Sequence, residues 1–194
     1  KEYNTGVRPD LYAATPPSEC LRLLLSKPAT DKTLKFMHAD VSRAYFFASA
    51  ICPVYVQLTD EDVDEGDEGK CGKLLSMYGT RDAAMNWPAA YTKTAIADGY
   101  KQGKSNPCLC THPDTKVMIM VRGDDFVAVG NEKATQKLRK SLEAAYKVKC
   151  EILGGGENEM NKIRVLNRVI RRDEQGFTLE ADPGHAEIVV RDLC

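Results

Sequence analysis

The stretch Val117-Met118-Ile119-Met120-Val121-Arg122-Gly123-Asp124-Asp125-Phe126-Val127-Ala128-Val129 holds two apolar runs separated by four residues. Each run has the length and side-chain type of a buried strand, and a gap of four residues reads as a hairpin turn. Two features of that turn point beyond a simple connection. A turn selected for geometry alone more often puts glycine after the Asp or Asn, whereas Gly123 comes first. Asp124 and Asp125 then place two like charges side by side between buried strands, an arrangement that divalent cations would relieve.

Working outward, the segment Leu34–Val41 reads as a half-buried strand running into a third carboxylate, Asp40. A two-ion site needs oxygen ligands from at least two strands, so the strand carrying Asp40 is expected beside the hairpin. Asn131 has the position of a helix cap, and Ala134, Leu138, Leu142, Ala145 and Tyr146 follow at helical spacing, with Lys133, Lys137 and Lys140 on the wet face. A short helix is expected around residues 20–25 with Ser18 as its cap, and a short strand over residues 54–58. Asn86-Trp87-Pro88 reads as a helix start, since proline suits the first helical position, and Asp98-Gly99 as the stop. The glycines 154–156 form a break. Residues 163–170 and 177–180 read as a second hairpin around Asp173-Glu174-Gln175-Gly176, and Asp182-Pro183 opens a last helix that the chain end cuts short. Strands and helices with antiparallel hairpins place the chain in the α+β class.

Hydrophobic residues make up 43% of the 194 and charged residues 28%, which fits a globular chain and excludes a disordered one. No apolar run approaches the length of a membrane span, and the first residue, Lys1, is expected to follow further sequence. The net charge of −1 hides an uneven distribution: seven acids and no base lie between Asp60 and Gly69, and without them the balance is +6. The acidic run reads as a solvated loop and the remainder as basic enough to follow phosphates. Of the seven cysteines only Cys108 and Cys110 stand close, with His112 near them, and there is no second pair to complete a zinc site; buried reduced thiols are expected.

Several segments, in order, carry a family resemblance. Asp40-Val41-Ser42-Arg43-Ala44-Tyr45-Phe46 resembles the first catalytic motif of copia-type reverse transcriptases, an Asp-Val pair followed by Ala and an aromatic. Val54-Tyr55-Val56-Gln57-Leu58 resembles the strand after it. Leu75-Ser76-Met77-Tyr78-Gly79, with Ala83 and Trp87, resembles that family's Ser-Leu-Tyr-Gly stretch. Asn106-Pro107-Cys108-Leu109 resembles its Asp-Pro-Cys stretch, residues 121–130 its Tyr-Val-Asp-Asp hairpin, and Leu166-Asn167-Arg168 its Leu-Gly-Arg-like turn. Upstream, Leu11-Tyr12-Ala13-Ala14 is similar to its Phe-Ala-Pro segment.

The resemblance implies a right-hand polymerase palm with partial fingers and a truncated thumb. Residues 1–33 would be a residual fingers segment. Residues 34–160 would be the palm, with fingers elements inserted at about 70–100, and 161–194 a primer-grip-like hairpin leading into the thumb. It implies RNA-directed DNA synthesis with two Mg²⁺ ions (or Mn²⁺) about 3.5–4 Å apart. Asp40, Asp124 and Asp125 would be the catalytic carboxylates and ion ligands, joined by the carbonyl of Val41. Tyr45, five residues after Asp40, would be the gate under the incoming sugar, and Arg81 and Asp82 would border the nucleotide. Arg122, Arg164 and Arg168 would contact the nucleic-acid backbone, while Trp87 would serve packing. The implied partners are an RNA template, a DNA primer, deoxynucleoside triphosphates and the rest of a retrotransposon polyprotein with its integrase and ribonuclease H. No membrane partner is implied, and the setting is intracellular: a cytoplasmic virus-like particle with nuclear access.

Three positions depart from the family pattern: Arg122-Gly123 replaces Tyr-Val, Asp82 replaces glutamine, and Ala84 replaces proline. An exposed carboxylate at 82 would oppose a triphosphate. The alternatives are an inactive retrotransposon remnant that folds and binds nucleic acid without polymerising, and an RNA-directed RNA polymerase, in which Gly-Asp-Asp hairpins also occur.

Overall fold

A computed structural model describes residues 13–51, 54–59, 61, 63–66, 69–80, 82–154, 156, 159–181 and 183–193. Residues 1–12, four acids of the acidic run (Asp60, Asp62, Asp67 and Glu68), Arg81, Gly155 and Asp182 lie outside the described residues, and with them the readings that fall there.

In chain order the elements are α1 (Ser18–Thr30), β1 (Leu34–Val41), a 3-10 turn (Ala44–Phe47), β2 (Val54–Gln57), β3 (Cys71–Leu74), α2 (Ala83–Ala97), β4 (Lys101–Gln102) and β5 (Leu109–Thr111). There follow β6 (Met118–Arg122), β7 (Asp125–Asn131), α3 (Glu132–Ala145), β8 (Val148–Leu153), β9 (Lys162–Val165), β10 (Arg168–Arg172), β11 (Phe177–Ala181) and α4 (Pro183–Leu193). The class is α+β, as the sequence implies. Six strands form one antiparallel sheet in the order β4-β5-β6-β7-β1-β8; β11-β10-β9 and β2-β3 form two smaller sheets. Among the described residues no helix is long and apolar enough to cross a membrane.

The period of two along β1 divides the interior. Met37, Ala39 and Val41 face one side with Trp87 and Tyr91 of α2 and Ala134, Leu138 and Leu142 of α3. Trp87, Tyr91, Phe126 and Tyr146 meet there edge to face at centroid distances of 5.2–6.1 Å, the arrangement aromatic quadrupoles favour. Phe36 faces the other side with Leu21, Leu24 and Leu25 of α1 and with Ile163, Val165 and Ile170 of β9 and β10. Full burial of a side chain such as Leu24 or Phe36 contributes about 1.5–3 kcal/mol, so both faces of the sheet are energetically occupied.

The second face changes character along the strands, and the register shows where. Phe36 pairs with Val129 and Leu153, and Val129 with Met118: a wholly apolar row. Two residues on, His38 pairs with Val127 and Glu151, and Val127 with Met120. Two residues further, Asp40 pairs with Asp125 and Lys149, and Asp125 with Arg122. Core therefore gives way to a charged row, Arg122-Asp125-Asp40-Lys149, at one end of the sheet.

Several expectations need correction. Ser18 does not cap α1: Pro17 holds that place with extended backbone, and the Ser18 hydroxyl donates to Glu19 instead. α2 begins at Ala83 rather than Asn86, because the carbonyl of Asp82 already accepts the N–H groups of Met85 and Asn86, leaving Pro88 inside the helix. Residues 163–170 are two strands, not one, broken where Leu166 and Asn167 both take positive φ, the signature of a type I′ turn. Glycine first in the catalytic-looking turn is also explained by geometry. Gly123 has φ +59° and Asp124 does not share it, which is the type II′ pattern, so that order needs no functional reason. Finally, β8 completes the sheet beyond β1, an element the sequence reading left out.

Candidate active site

Asp40 lies at the penultimate position of β1 and Asp125 at the first of β7, and their Cα atoms are direct cross-strand partners. Asp124 occupies the turn between β6 and β7. Its carbonyl accepts the N–H of Val41 at 3.0 Å, tying the turn to the end of β1, and the indole N–H of Trp87 donates to the Gly123 carbonyl at 2.8 Å from the opposite face. Trp87 is thus a packing residue, as expected, and also a tether for the turn. The three carboxylates line one cleft of about 720 Å³ with Tyr45, Tyr78, Arg122, Arg164 and His38.

The carboxylates meet different surroundings. Asp40 is exposed. Asp124 is half-buried and accepts the hydroxyl of Tyr78 at 2.7 Å. Burial pushes its pKa up and the charges of Asp40 and Asp125 push the same way, outweighing the Tyr78 hydrogen bond that favours the anion. Asp125 lies 2.7 Å from Nε2 of His38. Tyr78 is pushed up to about 12, by burial first and then by Asp124, so it stays a donor at neutral pH. Tyr45, on the 3-10 turn after β1, packs on Tyr78 with ring centroids 4.4 Å apart, and burial followed by the charge of Asp124 raises its pKa as well.

The donor set suits a hard divalent cation: oxygen only, anionic, and partly desolvated with its own repulsion unrelieved. Asp40 and Asp124 fit that role. Among the described residues, however, no three His, Cys, Asp or Glu side chains are grouped to hold one ion. The side chain of Val41 is buried, and its N–H is committed to Asp124.

The remaining expected residues divide. Arg122 and Arg164 reach the cleft; Arg168, at the start of β10, does not line it. Asp82 is not in the cleft either. Its carboxylate accepts from the Ile51 N–H at 3.1 Å and from Asn86 Nδ2 at 2.8 Å, so the expected carboxylate facing a triphosphate is instead a brace at the start of α2. Arg81 lies outside the described residues. Cys108 and Cys110 are buried thiols whose pKa burial raises, and the Cys108 thiol donates to the Ala14 carbonyl. His112 packs edge-on against Tyr100.

Tyr78 and His38 are among the cleft residues to which the sequence assigns no role. Tyr78 stands inside the Leu75–Gly79 motif. His38 was findable: two residues before Asp40 on a strand, it must share that residue's face.

Comparison with known proteins adds three findings. No curated protein matches the chain. Among solved structures it is similar to an apo telomerase from Candida tropicalis truncated from its C-terminal domain, with a TM-score of 0.49 and 11% identity. The match covers 86% of this chain and 40% of that one. The family described as reverse transcriptase (RNA-dependent DNA polymerase) matches residues 10–154, a span that holds the β1 and β6–β7 segments, all three cleft aspartates and both helices on the tryptophan face. By that match the chain belongs to the reverse transcriptase family.

Proposed function

We propose that this chain carries the nucleotidyl-transfer site of an RNA-directed DNA polymerase of the copia retrotransposon type, with the six-stranded sheet as its palm. The observation that carries the reading is the direct pairing of Asp40 with Asp125 across β1 and β7, with Asp124 in the adjoining turn and Tyr45 in the same cleft. Asp40 and Asp124 are the residues to hold two Mg²⁺ ions. Bound there, the ions would supply charge neutralisation and activation of a primer hydroxyl. Tyr45, braced by Tyr78, lines the cleft, where its ring would stack under the incoming sugar and exclude a 2′-hydroxyl. Arg122 and Arg164 project where backbone phosphates would pass, and Lys149 flanks Asp40 on the other side. Residues 161–194 would grip the primer and residues about 70–100 would form part of the fingers. Integrase and ribonuclease H segments of a polyprotein would be its working neighbours.

The test is Mg²⁺-dependent extension of a DNA primer on an RNA template by this chain, with Asp124→Asn as the matched blank. Extension by wild type and at least about a hundredfold loss in the variant are expected, the scale of an electrostatic group removed from a transition state. Equal extension by both would overturn the assignment of Asp124. No extension by either would favour the inactive remnant.

A further inference from the structure

His38 is 7% exposed, in the row of residues immediately behind the charged one. Its Nε2 lies 2.7 Å from Oδ1 of Asp125. An ionised carboxylate has nothing to donate, so the ring nitrogen is the donor, and a charge-assisted bond at that length in a desolvated place is a strong one. The other ring nitrogen, Nδ1, is buried without a hydrogen-bond partner, 3.8 Å from Glu151 Oε2, and Glu151 is itself held by Lys149 Nζ at 2.7 Å. The ring therefore sits between β7 and β8 with one nitrogen committed to Asp125.

The neighbouring carboxylates are drawn in different directions: Asp125 back to His38 over the sheet, Asp124 outward to Tyr78 at the cleft wall. No trio including Asp125 is assembled for a shared ion among the described residues. With Oδ1 committed to His38, Asp125 could reach an ion only through its second oxygen, and turning the carboxylate toward the cleft would lengthen the one hydrogen bond that the buried imidazole makes, which opposes the rearrangement.

We propose that His38 is a positioning residue that holds Asp125 out of the ion site, so that divalent cations are bound by Asp40 and Asp124 alone. This rests on the reading of the cleft as a polymerase site, but it makes its own demand: of the three aspartates, one should be indifferent to the ion, and His38 should be the cause.

The experiment measures Mn²⁺ affinity of the full chain without nucleotide or nucleic acid, by the electron paramagnetic resonance signal of free Mn²⁺, with thermal melts to confirm folding. Asp40→Asn and Asp124→Asn are expected to weaken binding by about tenfold or more, the loss of roughly one ligand's interaction. Asp125→Asn should change it by less than about twofold, well under 1 kcal/mol. His38→Leu should tighten binding by about threefold or more by releasing Asp125. Adding Asp125→Asn to His38→Leu should cancel that gain, and His38→Gln, which keeps a donor, should stay near wild type. The proposal is overturned if Asp125→Asn weakens binding as much as Asp124→Asn, or if a folded His38→Leu binds Mn²⁺ no more tightly than wild type. Should His38→Leu not fold, the Asp125→Asn comparison decides alone. If Asp40→Asn and Asp124→Asn both leave affinity unchanged, the polymerase reading of the cleft itself fails, a result separable from the failure of His38's role.

Discussion

Asp82 accepts hydrogen bonds from a backbone N–H of the segment before β2 and from Asn86, whose Nδ2 also donates to the buried Ser76 hydroxyl at 2.9 Å. Burial is the largest single influence on its pKa and raises it. The hydrogen bonds from Asn86, Ile51, its own N–H and Thr80 together outweigh burial, and the net direction is down. A carboxyl whose folded pKa is depressed stabilises the fold at pH values above its unfolded pKa, and that contribution disappears as pH falls through the folded value. Asp82→Asn should therefore destabilise the chain at pH 7 by about 1–2 kcal/mol, the usual scale for a charged acceptor lost from a part-buried network. The gap between wild type and variant should close as pH drops below the ordinary aspartate value of 3.8. Urea unfolding at pH 7 and pH 3 measures both. A gap that does not depend on pH would mean that the charge plays no part. The resemblance leads one to expect glutamine and a nucleotide contact at this position; the hydrogen bonds instead have Asp82 holding α2 against its neighbours.

At the scale of elements, β7 shows how tightly the sheet is fitted to its helices. A Cβ on Gly130 would stand 2.6 Å from Cγ2 of Val117 and 3.4 Å from Oγ1 of Thr135, both fully or nearly fully buried. Gly130→Ala should cost about 1–3 kcal/mol, as overpacking of a filled core does. The check is a lowered midpoint of thermal unfolding, and an unchanged midpoint would show that the end of β7 has room to shift. The legibility of the elements follows from the same physics. Strand β1 is readable in its bounds, to the last residue, but not in its burial: it reads as half-buried, whereas Phe36, Met37 and Ala39 are fully buried because α1 and β9 cover one face of the sheet as α2 and α3 cover the other. α3 is readable because Asn131 does cap it, accepting from the Ala134 N–H at 2.9 Å, and its apolar stripe is regular. Strand β8 carries an equally plain signal, with Val148, Cys150 and Ile152 alternating with Lys149 and Glu151, but it is short and sits between a helix and a glycine run that claim the attention. α2 misleads through Pro88: proline favours a first turn locally, and the burial of Trp87 with the Asn86 network overrides it. Asp40, Asp124, Asp125 and Tyr45 are legible as one site because each stands in a segment that resembles a polymerase motif. The grip of His38 on Asp125 is not, because it depends on a diagonal across paired strands that only the register supplies.

Taken as a whole, the molecule stores unfavourable charge at one end of a well-packed sheet. Two apolar cores lie on its two faces, and at the cleft end the row Arg122-Asp125-Asp40-Lys149 sets two acids side by side with a third in the adjoining turn. The flanking cations offset part of this, yet the pKa of Asp124 is still raised, first by burial and then by Asp40 and Asp125. A carboxyl with a raised folded pKa destabilises the fold once it ionises, so the cost is present in full at neutral pH and vanishes as pH falls below its unfolded value. Asp124→Asn removes that charge while keeping an oxygen to accept the Tyr78 hydroxyl. In metal-free buffer at pH 7 the variant should accordingly melt above wild type, by about 2–4 °C for each kcal/mol relieved in a chain of this size. Divalent ions should reverse the comparison. At an ion concentration about ten times the wild-type dissociation constant, binding to the folded state alone adds about 1.4 kcal/mol, whereas a variant that binds tenfold more weakly gains only about 0.4 kcal/mol. The single tryptophan, bonded to the Gly123 carbonyl beside Asp124, offers a local reporter: its fluorescence should respond to Mg²⁺ in wild type and, in the variant, only at about tenfold higher concentration. Melts of the two proteins in chelator and in Mg²⁺ give four numbers. A variant that melts no higher than wild type in chelator, together with equal Mg²⁺ shifts in both, would remove the electrostatic case for an ion site; the crossing of the two pairs would tie the instability of this end of the sheet to the binding of divalent ions.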